Sequence, residues 1–122
     1  MEQLETIKLN NVEYVRKDQL TQKALSTDGL QYVIIRTYSA GVHGGYLKSR
    51  NGKEVELLNS RRFYQWYGSS TLSQFAQSGT SQPGKCKFPE AVDRIILTEA
   101  IEIIDVTEKA KKTIDAVAVW KS

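Results

Sequence analysis

Asn51-Gly52 lies between two short runs, residues 46–50 and 53–58, in which large and polar side chains alternate. Both residues tolerate positive φ, so the pair predicts a two-residue type I′ turn that closes the runs into a β-hairpin. That feature commits the chain to an antiparallel sheet. In the implied register Lys48 opposes Val55, Tyr46 opposes Leu57 and Leu47 opposes Glu56. Neither face is then uniformly apolar, and the hairpin tip is expected in solvent.

Further elements follow from local pattern. Residues 31–39 contain Tyr32, Val33, Ile34, Ile35 and Thr37, types that suit a pleated surface, and predict a central strand. Its Tyr32, Ile34, Arg36 and Tyr38 share one face, which leaves Arg36 either beside a pocket or snorkelling to solvent. Residues 11–16 read as a short strand and 18–25 as a brief helix capped by Asp18. Thr71-Leu72-Ser73-Gln74 has capping-box spacing, and Gly79 is placed to end the helix it starts. Residues 80–89 are loop. The isoleucine-rich stretch 94–106 reads as two strands with a bend at Thr98-Glu99-Ala100, and Thr107 caps a last helix from Glu108 to about Ala116. The tail 117–120 is expected to dock as a strand. With 122 residues the chain predicts a single domain, 1–122, of α+β class: a small, mainly antiparallel sheet with short helices packed on it.

Composition removes several function classes. No apolar run approaches the roughly twenty residues that cross a bilayer, and the first residues lack the basic start and apolar core of a signal peptide, so an intracellular protein is expected. One cysteine, Cys86, makes no internal disulfide and supplies no zinc site alone. Cys86 and the single histidine, His43, give no sign of meeting as a nucleophile and base. Glu99 and Glu102 fall on opposite faces of a strand, and no Walker loop occurs. No catalytic set, metal site or cofactor is expected. The balance of 17 Lys+Arg against 14 Asp+Glu is mild, but positive groups crowd between Lys48 and Arg62 and recur at Lys85, Lys87, Lys109, Lys111 and Lys112, which suits an anionic ligand.

Residues 59–71 concentrate binding chemistry. Arg61 and Arg62 offer guanidinium forks for phosphate oxygens, and Ser69, Ser70 and Thr71 lead into a helix N-terminus that favours anions. Tyr64 or Trp66 is positioned to stack on a base. Arg36, His43 and Lys109 are secondary candidates. The plainer reading is that Gly-Ser-Ser-Thr simply begins a helix, that aromatic residues fill a core, and that adjacent arginines point to opposite sides of a strand.

The run Tyr32-Val33-Ile34-Ile35-Arg36-Thr37-Tyr38-Ser39-Ala40-Gly41-Val42-His43 is followed by Gly45-Tyr46-Leu47, the Arg61-Arg62 aromatic segment, Thr71-Leu72-Ser73-Gln74, Cys86-Lys87-Phe88 and Ile95-Ile96-Leu97-Thr98-Glu99-Ala100. Together they are similar to a group of small phage and prophage proteins. They resemble the first type of Thoeris anti-defence protein, a phage sponge for cyclic ADP-ribose signals made by bacterial TIR-domain enzymes. One departure is Gln65, which interrupts an expected aromatic run. The resemblance implies capture of a cyclic ADP-ribose-type nucleotide without cleavage in the host cytoplasm, with cyclic oligonucleotides as further ligands at separate sites. It also implies a homo-oligomer of dimers reaching a hexamer. The competing expectation is a phage accessory protein that binds nucleic acid through its basic patches, and a third is a purely structural or protein-interaction module.

Overall fold

The computed structural model describes residues 23–26 and 28–121. The strand expected at 11–16 lies outside them, as does most of the helix expected at 18–25. Its described end is extended instead: Lys23 bridges Thr107 and Leu25 bridges Gln31.

Five strands, β1 (Tyr32–Thr37), β2 (Val42–Asn51), β3 (Glu54–Arg62), β4 (Val92–Leu97) and β5 (Ala100–Asp105), form one antiparallel sheet in the order β4-β3-β2-β1-β5. Two helices, α1 (Leu72–Ser78) and α2 (Glu108–Asp115), complete an α+β architecture. β1 is interior, between β2 and β5, while the centre belongs to β2.

The β2–β3 hairpin forms, but in a different register. Asn51 pairs with Glu54, so Gly52-Lys53 is the turn, and Gly52 takes the first central position at φ +63. A glycine there fits a type II′ turn, which needs positive φ at one residue only. Arg50, not Lys48, then faces Val55. The moved turn alone would set Leu47 opposite Leu58, and a shift between Leu47 and Ser49 brings it opposite Leu57, where the expected register had Glu56. One extra residue reverses the in-and-out parity of a strand, and here it gives the hairpin the apolar face its simple register lacks. A second shift lies between Gly44 and Tyr46, opposite Asn59, whose φ of 50 is tolerated by a short polar side chain.

β4 and β5 lie at opposite edges of the sheet, yet only Thr98 and Glu99 connect them. Two residues span at most about 11 Å between the flanking Cα atoms, so the sheet must coil until its edges approach. One hydrogen bond marks the closure: Ala100 N–H donates to the Lys53 carbonyl of the β2–β3 turn at 3.0 Å. Coiling buries the concave face by itself. Val33, Ile35, Val55, Leu57, Leu97 and Ala100 form a core of strand residues.

The other face packs on the helices. Tyr32, Ile34 and Phe63 meet Phe75 and Ala76 of α1, Ala110 and Ile114 of α2, and Phe88. Each large apolar side chain buried this way contributes about 1.5–3 kcal/mol. Both helix starts behave as their sequences require. Thr71 Oγ1 accepts from Gln74 N–H at 3.1 Å, and Thr107 Oγ1 accepts from Ala110 N–H at 3.1 Å. Gly79 ends α1 at φ 78. The tail contributes a single bridge, Phe88 with Val119, where a strand was expected.

Candidate functional site

Successive residues of β3 turn to opposite sides of the sheet, which separates the two arginines. Arg61 points into the helix layer. Its Nη1 donates to the carbonyls of Ile114 at 3.2 Å and Val117 at 3.0 Å, and its Nη2 donates to Phe88 at 3.1 Å and Ala118 at 3.4 Å. The guanidinium also lies 5.2 Å from the Phe88 ring centroid. Burial pushes its pKa down, Tyr32 and Asp115 pull it back, and a guanidinium remains charged throughout. A cation at the carbonyl end of α2 satisfies acceptors the helix leaves open. Arg61 is therefore engaged inside the fold, with its fork filled by main-chain oxygens in place of a phosphate.

The start of α1 is likewise closed on itself. Ser70 N–H donates to Gln74 Oε1 at 2.9 Å, reciprocating the Thr71 cap, and Ser69 Oγ donates to the Gly79 carbonyl at 2.7 Å. α1 has seven residues, and Ser69, Ser70 and Thr71 hold its ends together. Trp66 is half-buried against the helix-side core. Arg36 is exposed and paired with Glu102 at 3.0 Å, and Lys109 is exposed on α2.

Beyond Arg61 the chain exposes a different set. Phe63 is buried and stacks on Phe88 with centroids 4.2 Å apart, so its neighbours Arg62 and Tyr64 are both exposed. Gln65 and Lys87 exchange main-chain hydrogen bonds at 3.2 and 2.7 Å, and Trp120 N–H donates to the Phe88 carbonyl at 3.0 Å. These bonds align three segments of chain. They set the Tyr64 ring on Trp120, with centroids 5.1 Å apart and planes 7° from parallel, and Lys87 Nζ 5.6 Å from the Trp120 ring centroid. Tyr64 is 61% exposed.

His43 and Arg62 are cross-strand partners that share one acceptor: Arg62 Nη1 donates to the Ala40 carbonyl at 2.6 Å, and His43 Nε2 lies 3.0 Å from the same oxygen. His43 is 1% exposed. Burial holds its pKa below 6.5, the nearby Arg62 charge lowers it further, and the Ala40 hydrogen bond opposes both. The imidazole is neutral near pH 7, with Nε2–H as the donor. Of the ten residues singled out in the sequence, the structure thus joins His43 with Arg62 and leaves Tyr64 exposed on a ring stack, while Arg61, Ser69, Ser70, Thr71, Trp66, Arg36 and Lys109 stand elsewhere. Trp120 was not among the sequence candidates, and Lys87 figured there only as part of a basic patch. A tryptophan in the tail was the available signal.

Among the described residues, no cluster of three or more His, Cys, Asp or Glu side chains could hold a metal ion, and no helix is long and apolar enough to cross a membrane. Residues 30–114, from just before β1 into the last turn of α2, match the family described as a domain of unknown function, DUF6948. The chain belongs to the DUF6948 family. No curated protein and no solved structure matches it. The DUF6948 match takes in Arg62, His43, Tyr64 and Lys87 and stops short of Trp120, so the ring stack is completed by a residue beyond the family region. The family description carries no activity and adds no support to the anti-defence resemblance.

Proposed function

We propose that this protein is a non-enzymatic binder that sequesters a cyclic ADP-ribose-type nucleotide signal, acting as a phage anti-defence sponge in the host cytoplasm. The observation that carries the reading is the stack of the exposed Tyr64 ring on the half-buried Trp120, with Lys87 against it. With Trp120 covering one face, the 61% exposed Tyr64 ring has its other face for a base, a stack worth about 1–3 kcal/mol in nucleic-acid cases. Arg62, two residues before Tyr64 and exposed like it, adds a guanidinium for the phosphates. Arg61 and the start of α1 do not belong to this ligand set, because their polar groups are spent within the fold.

Sequestration acts by mass action: an abundant protein that releases the signal slowly lowers its free concentration below what the host effector needs. Assembly into a homo-oligomer of dimers, and capture of cyclic oligonucleotides at separate sites, complete the proposal.

Calorimetry against a panel of cyclic ADP-ribose isomers and cyclic oligonucleotides tests it, followed by heating the complex to recover the ligand. Binding that weakens in Tyr64→Ala and Trp120→Ala, with chemically intact ligand released, supports the sponge. Recovery of altered ligand indicates an enzyme instead. Binding of long single-stranded nucleic acid with a steep salt dependence, and no response to small nucleotides, replaces the sponge with the nucleic-acid reading.

A further inference from the structure

At the end of the coiled sheet where β2 begins, β3 ends and the chain enters β4, a cavity of about 90 Å³ is lined by His43, Ser60, Arg62, Pro89, Glu90, Val92 and Ile95. Two observations there are independent of each other. The first is Ser60: the residue is 2% exposed, and its Oγ is buried without a hydrogen-bond partner among the described residues. A buried hydroxyl without a partner is costly in a folded protein and marks a place where a ligand or water completes the structure. The second is Arg62. One corner of its guanidinium is anchored on the Ala40 carbonyl at 2.6 Å, the oxygen that also accepts from His43, which holds the fork at the cavity wall.

From this pair of donors we infer that the cavity is a binding site for a phosphate-sized oxyanion. A guanidinium supplies two parallel donors, and a serine hydroxyl supplies a third. Space of about 90 Å³ is enough for a tetrahedral oxyanion. Glu90 is exposed, so solvent screens its charge, while the half-buried Pro89 and Ile95 and the exposed Val92 complete the lining. Gly45 keeps the neighbouring β2 backbone close: a Cβ there would lie 3.1 Å from the Cβ atoms of both Leu57 and Ser60. The oxyanion is either free inorganic phosphate or a phosphate group carried on a larger ligand. The inference goes beyond the nucleotide reading, since it needs only the cavity, Ser60 and Arg62.

The test is an NMR titration of the full chain, first with inorganic phosphate and then with adenosine monophosphate. The expected result is saturable shifts at the His43 ring and at the Ser60 and Arg62 amides. Ser60→Ala and Arg62→Gln should each weaken phosphate binding by about tenfold or more, the usual effect of losing one hydrogen bond to a charged ligand. Ser60→Ala removes the unpartnered hydroxyl, so it should fold at least as stably as the parent and keep the test open should Arg62→Gln fail to fold. Shifts with inorganic phosphate alone identify the free anion. Additional shifts at Tyr64 and Trp120 with adenosine monophosphate identify a carried phosphate. Phosphate binding without response to any nucleotide keeps this inference and removes the nucleotide reading. No saturable response at the cavity, or unchanged affinity in Ser60→Ala, overturns it.

Discussion

In an Arg61→Ala variant the carbonyls of Val117, Phe88 and Ile114 lose donors that stand 3.0, 3.1 and 3.2 Å away. The fourth contact, to Ala118 at 3.4 Å, is long and exposed and contributes little. Three hydrogen bonds from a charged donor, each taken at the neutral-bond value of about 1–1.5 kcal/mol because water replaces part of what is lost, put the destabilisation at roughly 3–4.5 kcal/mol. Loss of the guanidinium from the Phe88 ring adds to it. Lysine restores the charge but not the fork, so Arg61→Lys should recover only part of the stability. Urea unfolding measures both variants, and the expected signature is a lower midpoint with an unchanged slope. Amide exchange should accelerate first at residues 117–120, the segment tied to β3 through this side chain. An Arg61→Ala protein within about 0.5 kcal/mol of the parent that has lost nucleotide binding would refute this reasoning and return Arg61 to the ligand site.

Acid should destabilise the fold through His43. Its folded pKa is held below 6.5, so as pH falls through that value the unfolded chain takes up a proton that the native state refuses. The contribution of His43 is fully present above pH 6.5 and declines below it with a slope of at most about 1.4 kcal/mol per pH unit, until the native imidazole also titrates. Urea midpoints across this window should fall for the parent and stay flatter for His43→Gln. Gly44→Ala places a Cβ 2.6 Å from Phe63 Cζ and 2.7 Å from the Tyr32 hydroxyl, and should cost about 1–3 kcal/mol by overpacking, visible as a lower thermal midpoint. Thr71→Ala removes the α1 cap and should cost about 1 kcal/mol by the same measurement while leaving ligand affinity unchanged. Any larger effect on binding would restore the start of α1 to the site.

Legibility in the sequence followed range along the chain. The β1 run of Tyr32 to Thr37, the caps at Thr71 and Thr107, and the stop at Gly79 depend on residues within one turn or one pleat of each other, and each is found where its pattern puts it. Register failed first. Asn51-Gly52 correctly announced a hairpin, but the turn formed at Gly52-Lys53, and a bulge between Leu47 and Ser49 set the facing pairs. The candidate residues were dispersed next. Arg61 and Arg62 look equivalent in the sequence, and only the partners they meet distinguish them.

The chain's own order of residues determined that it makes antiparallel strands, where its helices start and stop, and that aromatic and cationic side chains crowd between Arg61 and Tyr67. Tertiary structure alone decided that β4 and β5 occupy opposite edges across a two-residue link, that the sheet therefore coils over its own core, and that Arg61 reaches Val117 while Arg62 meets Ala40. The reason is the source of the energy. Caps and turns are stabilised by neighbours in the chain, whereas a side chain's final direction is set by buried surface and hydrogen-bond acceptors contributed from distant segments, which no local pattern encodes.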